Sequence, residues 1–269
     1  MPEFTCTDRI TLVAKLAAGT LSVAAEERDT AVVDVLPLDG SAASRTAAEN
    51  TVVEMRGTTL HVESPDRGWR MGRSGRIRVD IRLPEGSSLD VKLASADGRL
   101  EGRYGDASIH SASGDVSIGH VTGTLSLRTA SADVQVAEVD GTASLDTASG
   151  DIVVGSAAAD LTADTASGDV TVEQAAGSVR VRTASGDIRV GTVRRGNADL
   201  VTVSGDVRVG IPTGTSVWLD LSTASGKTRS DLDHSGAQSP ANGTPDLNVR
   251  VSTASGNIEL RRVPVPVDA

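Results

Sequence analysis

The stretch TASGDIVV at residues 147–154 returns as TASGDVTV at 165–172 and as TASGDIRV at 183–190, a repeat of 18 residues. With the serine as position 1, positions 4 and 6 are Ile or Val in every copy, whereas the residue between them changes. This alternation indicates a β-strand with one buried face. A unit of 18 residues is too short for helical repeats, which need about 33–47 residues.

The repeat extends to both sides of these three copies. A second alternation at positions 13 and 15, such as Val179 and Val181, predicts another strand in each unit. Each unit is therefore expected to form one coil of a β-solenoid, whose strands pair with those of neighbouring coils about 4.8 Å away. The sequence predicts an all-β solenoid with coils of about 18 residues and irregular β caps at both ends.

Three parts are expected along the chain. Residues 1–94 are rich in strand patterns but irregular, and we predict an N-terminal cap or irregular first coils. Residues 95–230 hold the regular repeats, and residues 231–269 an exposed loop, a hairpin-like terminal β-pair and a tail. The segments LPEGSSLDVKLASADG (83–98) and IPTGTSVWLDLSTASG (211–226) resemble each other, which predicts the same β-turn-β element at each end of the repeats.

The composition fits a narrow interior. Hydrophobic residues make up 38% of the 269 residues, yet the only aromatic ones are Phe4, Trp69, Tyr104 and Trp218. We expect stacked Val, Leu and Ala side chains to fill a thin solenoid that leaves little width for rings. The single cysteine, Cys6, excludes an intrachain disulfide and any multi-cysteine metal site.

The charge and hydropathy of the sequence limit the classes of partner and the cellular location that are expected. The formal net charge of −10 argues against nucleic-acid binding, because phosphate contacts need clustered Lys and Arg. No apolar run approaches the roughly 20 residues of a membrane-spanning helix. The start MPEFTCTDRI lacks a basic segment followed by an apolar one, so no secretory signal is recognised and a cytoplasmic location is expected.

The repeated TASGD-[VI]-x-V unit, the LPEG turn and the acidic, aromatic-poor composition resemble the bacterial DUF4097 family of β-strand-repeat proteins, labelled "putative adhesin". The start without a signal peptide is similar to that of actinobacterial members. The resemblance implies a right-handed single-stranded β-helix, and it implies no catalytic residue and no cofactor. The adhesin label implies export, for which the sequence shows no signal.

A column of acidic residues is expected at one corner of the solenoid. Calcium binding is one interpretation, but one carboxylate per coil supplies too few of the six to eight oxygens that Ca²⁺ takes. The nine-residue repeat of calcium-binding β-rolls is also missing. We therefore predict no metal and a structural ladder in which the carboxylates accept backbone N–H bonds. Its members are Asp115, Asp133, Asp151, Asp169, Asp187 and Asp206.

A second column is basic. Arg189, Arg208 and Arg229 share position 5 of their repeats, and residues 180–208 hold six Arg against three Asp, a local charge of 6 − 3 = +3. This face is the candidate site for an anionic partner, which could be an acidic protein, a nucleic acid or an anionic lipid. The alternative is a solvated face that neighbouring aspartates neutralise.

No catalytic site is predicted. The four histidines are scattered without the spacing of metal ligands, and no GxSxG elbow is present; they are His61, His110, His120 and His234. We predict a non-enzymatic scaffold or binding protein that has a protein partner or associates with itself. Three alternatives remain open: a self-assembling filament of the bactofilin kind, an exported surface adhesin, and a carbohydrate-active β-helix enzyme.

Overall fold

The structure is a computed structural model, and it describes residues 2–6, 8–65, 75–232 and 245–264. The predicted exposed loop falls mainly on residues 233–244, and the predicted tail mainly on residues 265–269. Both segments lie outside the described residues, as do the side chains of Trp69 and His234.

The chain forms two compact units, residues 1–140 and 141–269, and each is described by itself. The first unit consists of α1 (Ala42–Glu49), β1 (Glu3–Thr5), β2 (Thr11–Glu26), β3 (Thr30–Pro37), β4 (Val52–Arg56), β5 (Thr59–Glu63), β6 (Ile77–Pro84), β7 (Ser88–Tyr104), β8 (Ala107–Ser111), β9 (Val116–Val121), β10 (Leu125–Ser131) and β11 (Val134–Val139). The second consists of β12 (Ala143–Ser149), β13 (Ile152–Ala157), β14 (Leu161–Ser167), β15 (Val170–Ala175), β16 (Val179–Ser185), β17 (Ile188–Val193), β18 (Gly196–Ser204), β19 (Val207–Pro212), β20 (Val217–Ser225), β21 (Thr228–Ser230), β22 (Leu247–Ser255) and β23 (Ile258–Val263).

The regular coils of the second unit stack in parallel with the predicted period. Strands β12, β14, β16 and β18 form one ladder, and β13, β15, β17 and β19 form another. Ile152, Val170 and Ile188 follow one another in register, and none of the three is exposed to solvent. The alternation that indicated strands thus produces continuous aliphatic columns, which confirms the predicted all-β solenoid of the right-handed β-helix class.

The first unit uses the same parallel stacking. Strand β10 lies in register with β8, and β11 with β9, so that Val134 is opposite Val116. Strand β2 pairs with β7 along most of its length, and it also pairs with both β5 and β6. The N-terminal strand β2 therefore lies between β5 and β6 on one side and β7 on the other. Antiparallel pairs of β3 with β1 and β6, and of β4 with β5, complete this unit.

The last copy of the repeat does not lie at the end of its stack. Strand β22 pairs in parallel with both β18 and β20, and β23 pairs with both β19 and β21. Ser255 is therefore opposite Ser204 on one side and Ser225 on the other. The expected hairpin-like pair is wrong, because these two strands form a coil between two coils that precede them in sequence.

In each unit, the turn in one of the two similar segments joins two strands that are not neighbours, because another part of the chain lies between them. In the first unit the turn between β6 and β7 contains Gly86, and β2 lies between those strands. In the second unit the turn between β19 and β20 contains Gly214, and the coil of β22 and β23 fills the space. Both glycines have a positive φ, 77° and 88°, which favours glycine.

One ring enters the interior despite its narrow width. Tyr104 is fully buried at the end of β7, and its hydroxyl lies 2.9 Å from the carbonyl oxygen of Val23 and 2.8 Å from that of Glu101. Burial raises the pKa of Tyr104 above the usual tyrosine range. Among the described residues, no helix has the length and apolar character needed to cross a bilayer.

Candidate functional site

The corner aspartates of the second unit form a hydrogen-bonded ladder. The backbone N–H of Asp169 donates to Oδ1 of Asp151 over 2.8 Å, and the N–H of Asp187 donates to Oδ1 of Asp169 over 2.8 Å. The N–H of Asp206 then donates to Oδ1 of Asp187 over 2.8 Å. Each of these carboxylates therefore accepts a backbone N–H from the next coil, which draws the coils together at this corner.

The ladder continues into the inserted coil, where an amide replaces the carboxylate. The N–H of Asn257 donates to Oδ1 of Asp206 over 2.7 Å, and the N–H of Lys227 donates to Oδ1 of Asn257 over 3.1 Å. In the first unit, Asp133 donates to Asp115 over 3.0 Å in the same way. The common requirement is an oxygen acceptor at this position, which either Asp or Asn supplies.

The basic column is interrupted by an acidic residue that the sequence reading did not include. Arg189 lies opposite Arg208, but the residue opposite Arg208 in the next coil is Glu259. Arg229 lies opposite Glu259 on its other side. We call these four residues, Arg189, Arg208, Glu259 and Arg229, the charged ladder. Glu259 was missed because it belongs to the inserted coil, whose position does not follow chain order.

Carboxylates surround the middle of the charged ladder. The guanidinium of Arg208 lies 3.5 Å from Asp206, 3.6 Å from Glu259 and 3.8 Å from Asp187. Arg189 lies 3.9 Å from Asp187 as well. These long, partly exposed contacts orient the Arg208 side chain, but each is worth little energy in water. An incoming carboxylate can therefore compete for Arg208 at a small cost.

Two shallow cavities flank the charged ladder. One of about 360 Å³ is lined by Asp206, Arg208, Lys227, Arg229, Asn257, Ile258 and Glu259. The other, of about 180 Å³, brings Arg189, Arg208 and Arg261 together with Glu173 and Glu259. The larger cavity has three cationic and two acidic side chains, so its formal charge is 3 − 2 = +1 in a chain of −10. Elsewhere in the chain, the single cysteine, Cys6, does not supply a reactive thiol, because it is buried and desolvation raises the pKa of its thiol.

A family model described as Toastrack DUF4097 matches residues 19–261, which is most of the chain. The chain belongs to this Toastrack family. The predicted family membership is thus confirmed, and the parallel coils described above are the Toastrack architecture of this chain. The comparison with curated proteins found no match.

Solved structures similar to this Toastrack chain come from several bacteria. A protein from Bacteroides fragilis NCTC 9343, described as a putative adhesin, is 11% identical, with 97% of this chain and 95% of that chain covered and a TM-score of 0.46. A protein from Parabacteroides distasonis ATCC 8503, described as a putative lipid binding protein, is 12% identical, with 97% and 96% covered and a TM-score of 0.40. A putative cell adhesion protein from Clostridium sporogenes ATCC 15579 is 11% identical, with 95% and 93% covered and a TM-score of 0.22.

Proposed function

We propose that this Toastrack chain is a non-catalytic β-solenoid scaffold that binds an acidic protein partner along the charged ladder. The observation that carries the proposal is the 360 Å³ cavity, where Arg208, Lys227 and Arg229 outnumber the two acidic lining residues in a chain of net charge −10. Such a local excess of positive charge attracts an acidic segment. Negative charge on the rest of the chain disfavours partners whose charge pattern does not match that of the charged ladder.

The scaffold supports this role through its rigidity. Arg208 and Arg189 project from adjacent strands of a parallel ladder, whose backbones lie about 4.8 Å apart. Guanidinium groups bind carboxylates through two parallel N–H bonds, so the neighbouring Arg189 and Arg208 suit two acidic side chains of a partner. Arg229 is exposed at the end of the row and is available for the first contact.

The proposal is tested by charge reversal on two matched sets of arginines. The ladder variant carries Arg189→Glu, Arg208→Glu and Arg229→Glu. The control variant carries three exposed arginines of the first unit changed in the same way, so that the net charge of the two variants is identical. The control positions are Arg56, Arg78 and Arg99.

Fluorescence anisotropy with a labelled oligoglutamate peptide gives the affinity of each protein. We expect saturable binding by the natural chain, weakening as salt is added. The control variant should bind nearly as tightly, and the ladder variant more than about tenfold more weakly, because Coulomb repulsion replaces attraction. The single variant Arg229→Glu should show an intermediate loss and disturbs the fewest contacts. Equal affinity in the ladder and control variants would refute the charged ladder as the binding face.

A further inference from the structure

Three potential metal ligands meet on the first unit, away from the charged ladder. His120 lies in β9 and Glu138 in β11, and the parallel register places the two residues directly opposite each other. Asp140 follows immediately after β11. The sequence separations of 18 and 20 residues conceal this cluster, since they resemble no familiar ligand spacing. The coil period is what brings the three side chains together.

The distances within the cluster suit a single metal ion. Nε2 of His120 lies 2.9 Å from Oδ2 of Asp140, and the other ring nitrogen, Nδ1, lies 3.7 Å from Oε2 of Glu138. A single ion binds one of these two nitrogens, so the carboxylate that faces the other nitrogen has to rotate towards it. One ligand atom from each of the three residues lies within 4.8 Å of the others. Metal bonds of about 2.0–2.2 Å at the tetrahedral angle place two ligand atoms about 3.4 Å apart, so His120 and Asp140 need to separate by only about 0.5 Å to hold an ion between them.

The burial of the three side chains also suits coordination. The His120 side chain is 24% exposed, whereas Glu138 and Asp140 are 52% and 40% exposed. The imidazole is therefore the fixed ligand, and the Glu138 carboxylate can rotate to close the site. Arg103 lies opposite His120 on its other edge, and its single positive charge, which opposes a bound cation, is outweighed by the two carboxylates.

We propose that His120, Glu138 and Asp140 form a binding site for a divalent transition-metal ion such as Zn²⁺. One imidazole and two carboxylates are donors that suit Zn²⁺, Co²⁺ or Ni²⁺, whereas Mg²⁺ and Ca²⁺ prefer oxygen alone. Three protein ligands leave a fourth position of a tetrahedral ion open to water. Because the ligands come from neighbouring coils, a bound ion ties β9 to β11 and stabilises the fold.

The chain offers a matched control in His110. This residue lies in β8, and the residues opposite it are Lys92 and Arg128 rather than acids. His110 occupies an equivalent parallel ladder, but cationic residues stand opposite it on both sides, where the proposed site has the Glu138 carboxylate on one side. His110→Ala therefore removes a histidine from the same unit without touching the proposed site.

Isothermal titration with ZnCl₂, using tag-free protein pretreated with a chelator, tests the site. We expect about one ion per chain, with binding weakened more than about tenfold in His120→Ala, Glu138→Gln and Asp140→Asn and unchanged in His110→Ala. Zn²⁺ should raise the Tm of the natural chain and of His110→Ala but not of the three site variants. Co²⁺ should give a visible absorption band that is lost in His120→Ala.

Two results would overturn the proposal. The first is the absence of saturable Zn²⁺ binding to the natural chain. The second is a His120→Ala variant that binds Zn²⁺ as tightly as the natural chain, since carboxylates alone would then account for the binding. Circular dichroism of each variant without metal shows that it is folded before its affinity is compared.

Discussion

Each corner aspartate of the ladder experiences two opposing effects. Asp169 accepts the N–H of Asp187, which satisfies a backbone donor at the corner. Its charge, however, lies one coil away from the carboxylates of Asp151 and Asp187, and like charges at that spacing repel. Asn257 shows that the acceptor can be kept without the charge, because its amide oxygen accepts the N–H of Lys227.

We therefore expect Asp169→Asn and Asp169→Ala to change the free energy of unfolding by different amounts or in opposite directions. The alanine variant loses the acceptor and should lower the free energy of unfolding by about 1 kcal/mol. The asparagine variant keeps the acceptor, removes the repulsion, and should be as stable as the natural chain or slightly more stable. Urea unfolding followed by circular dichroism measures both. If asparagine lowers stability as much as alanine does, the charge itself is required, as it would be for a bound cation.

At the scale of one element, strand β7 depends on an irregularity near its end. The pairing with β9 shifts between Leu100 and Arg103, and Gly102 in that bulge has a φ of 95°. A Cβ atom on Gly102 would overlap the carbonyl oxygen of Ala25. The bulge thus needs glycine for two reasons, its backbone conformation and the close approach of β2. It also precedes Tyr104, whose hydroxyl lies 2.8 Å from the carbonyl oxygen of Glu101.

The two effects at Gly102, the close approach of the Ala25 backbone and the positive φ, can be measured separately. Gly57 has a φ of 62°, but a Cβ atom there would have no neighbour within 4 Å. Gly57→Ala should therefore cost only the left-handed conformation, about 1–2 kcal/mol. Gly102→Ala should cost clearly more and lower the Tm further, because the Ala25 backbone must also move. Equal losses in thermal unfolding would show that β2 does not constrain β7 at the bulge.

The sequence predicted the strands because their columns repeat at a constant spacing. Ile152 and Val170 occupy the same repeat position, and both are buried as expected. It did not predict the order of the coils, because the three corners that begin at Ser204, Ser225 and Ser255 were placed in chain order. The available signal was the contrast between the polar Thr228 and Ser230 and the apolar Ile258 and Leu260, which suits the later coil to the interior. The separation of Arg229 from Arg208 by Glu259 follows from that order.

At the scale of the whole molecule, the inserted coil of β22 and β23 makes the C-terminal segment part of the hydrophobic core of the second unit. The inward side chains of the inserted coil are fully buried between two other coils; they are Leu247, Val249, Val251, Ile258 and Leu260. Burial of each such side chain is worth about 1.5–3 kcal/mol. Their sum is comparable with the whole stability of an ordinary domain, about 5–15 kcal/mol.

A chain truncated after Asp246 should therefore lose far more stability than the removal of two terminal strands would cost. Strands β20 and β21 would lose β22 and β23, which are their partners within the described part of the chain. We expect a lower Tm and rapid tryptic cleavage at Lys227 and Arg229, whereas a chain that ends at Pro264 retains the coil and should resist. If the shorter chain keeps its Tm and its protease resistance, β20 and β21 have closed directly onto β18 and β19. The turn of residues 213–216 would then tolerate both arrangements, and the insertion would not be needed for stability.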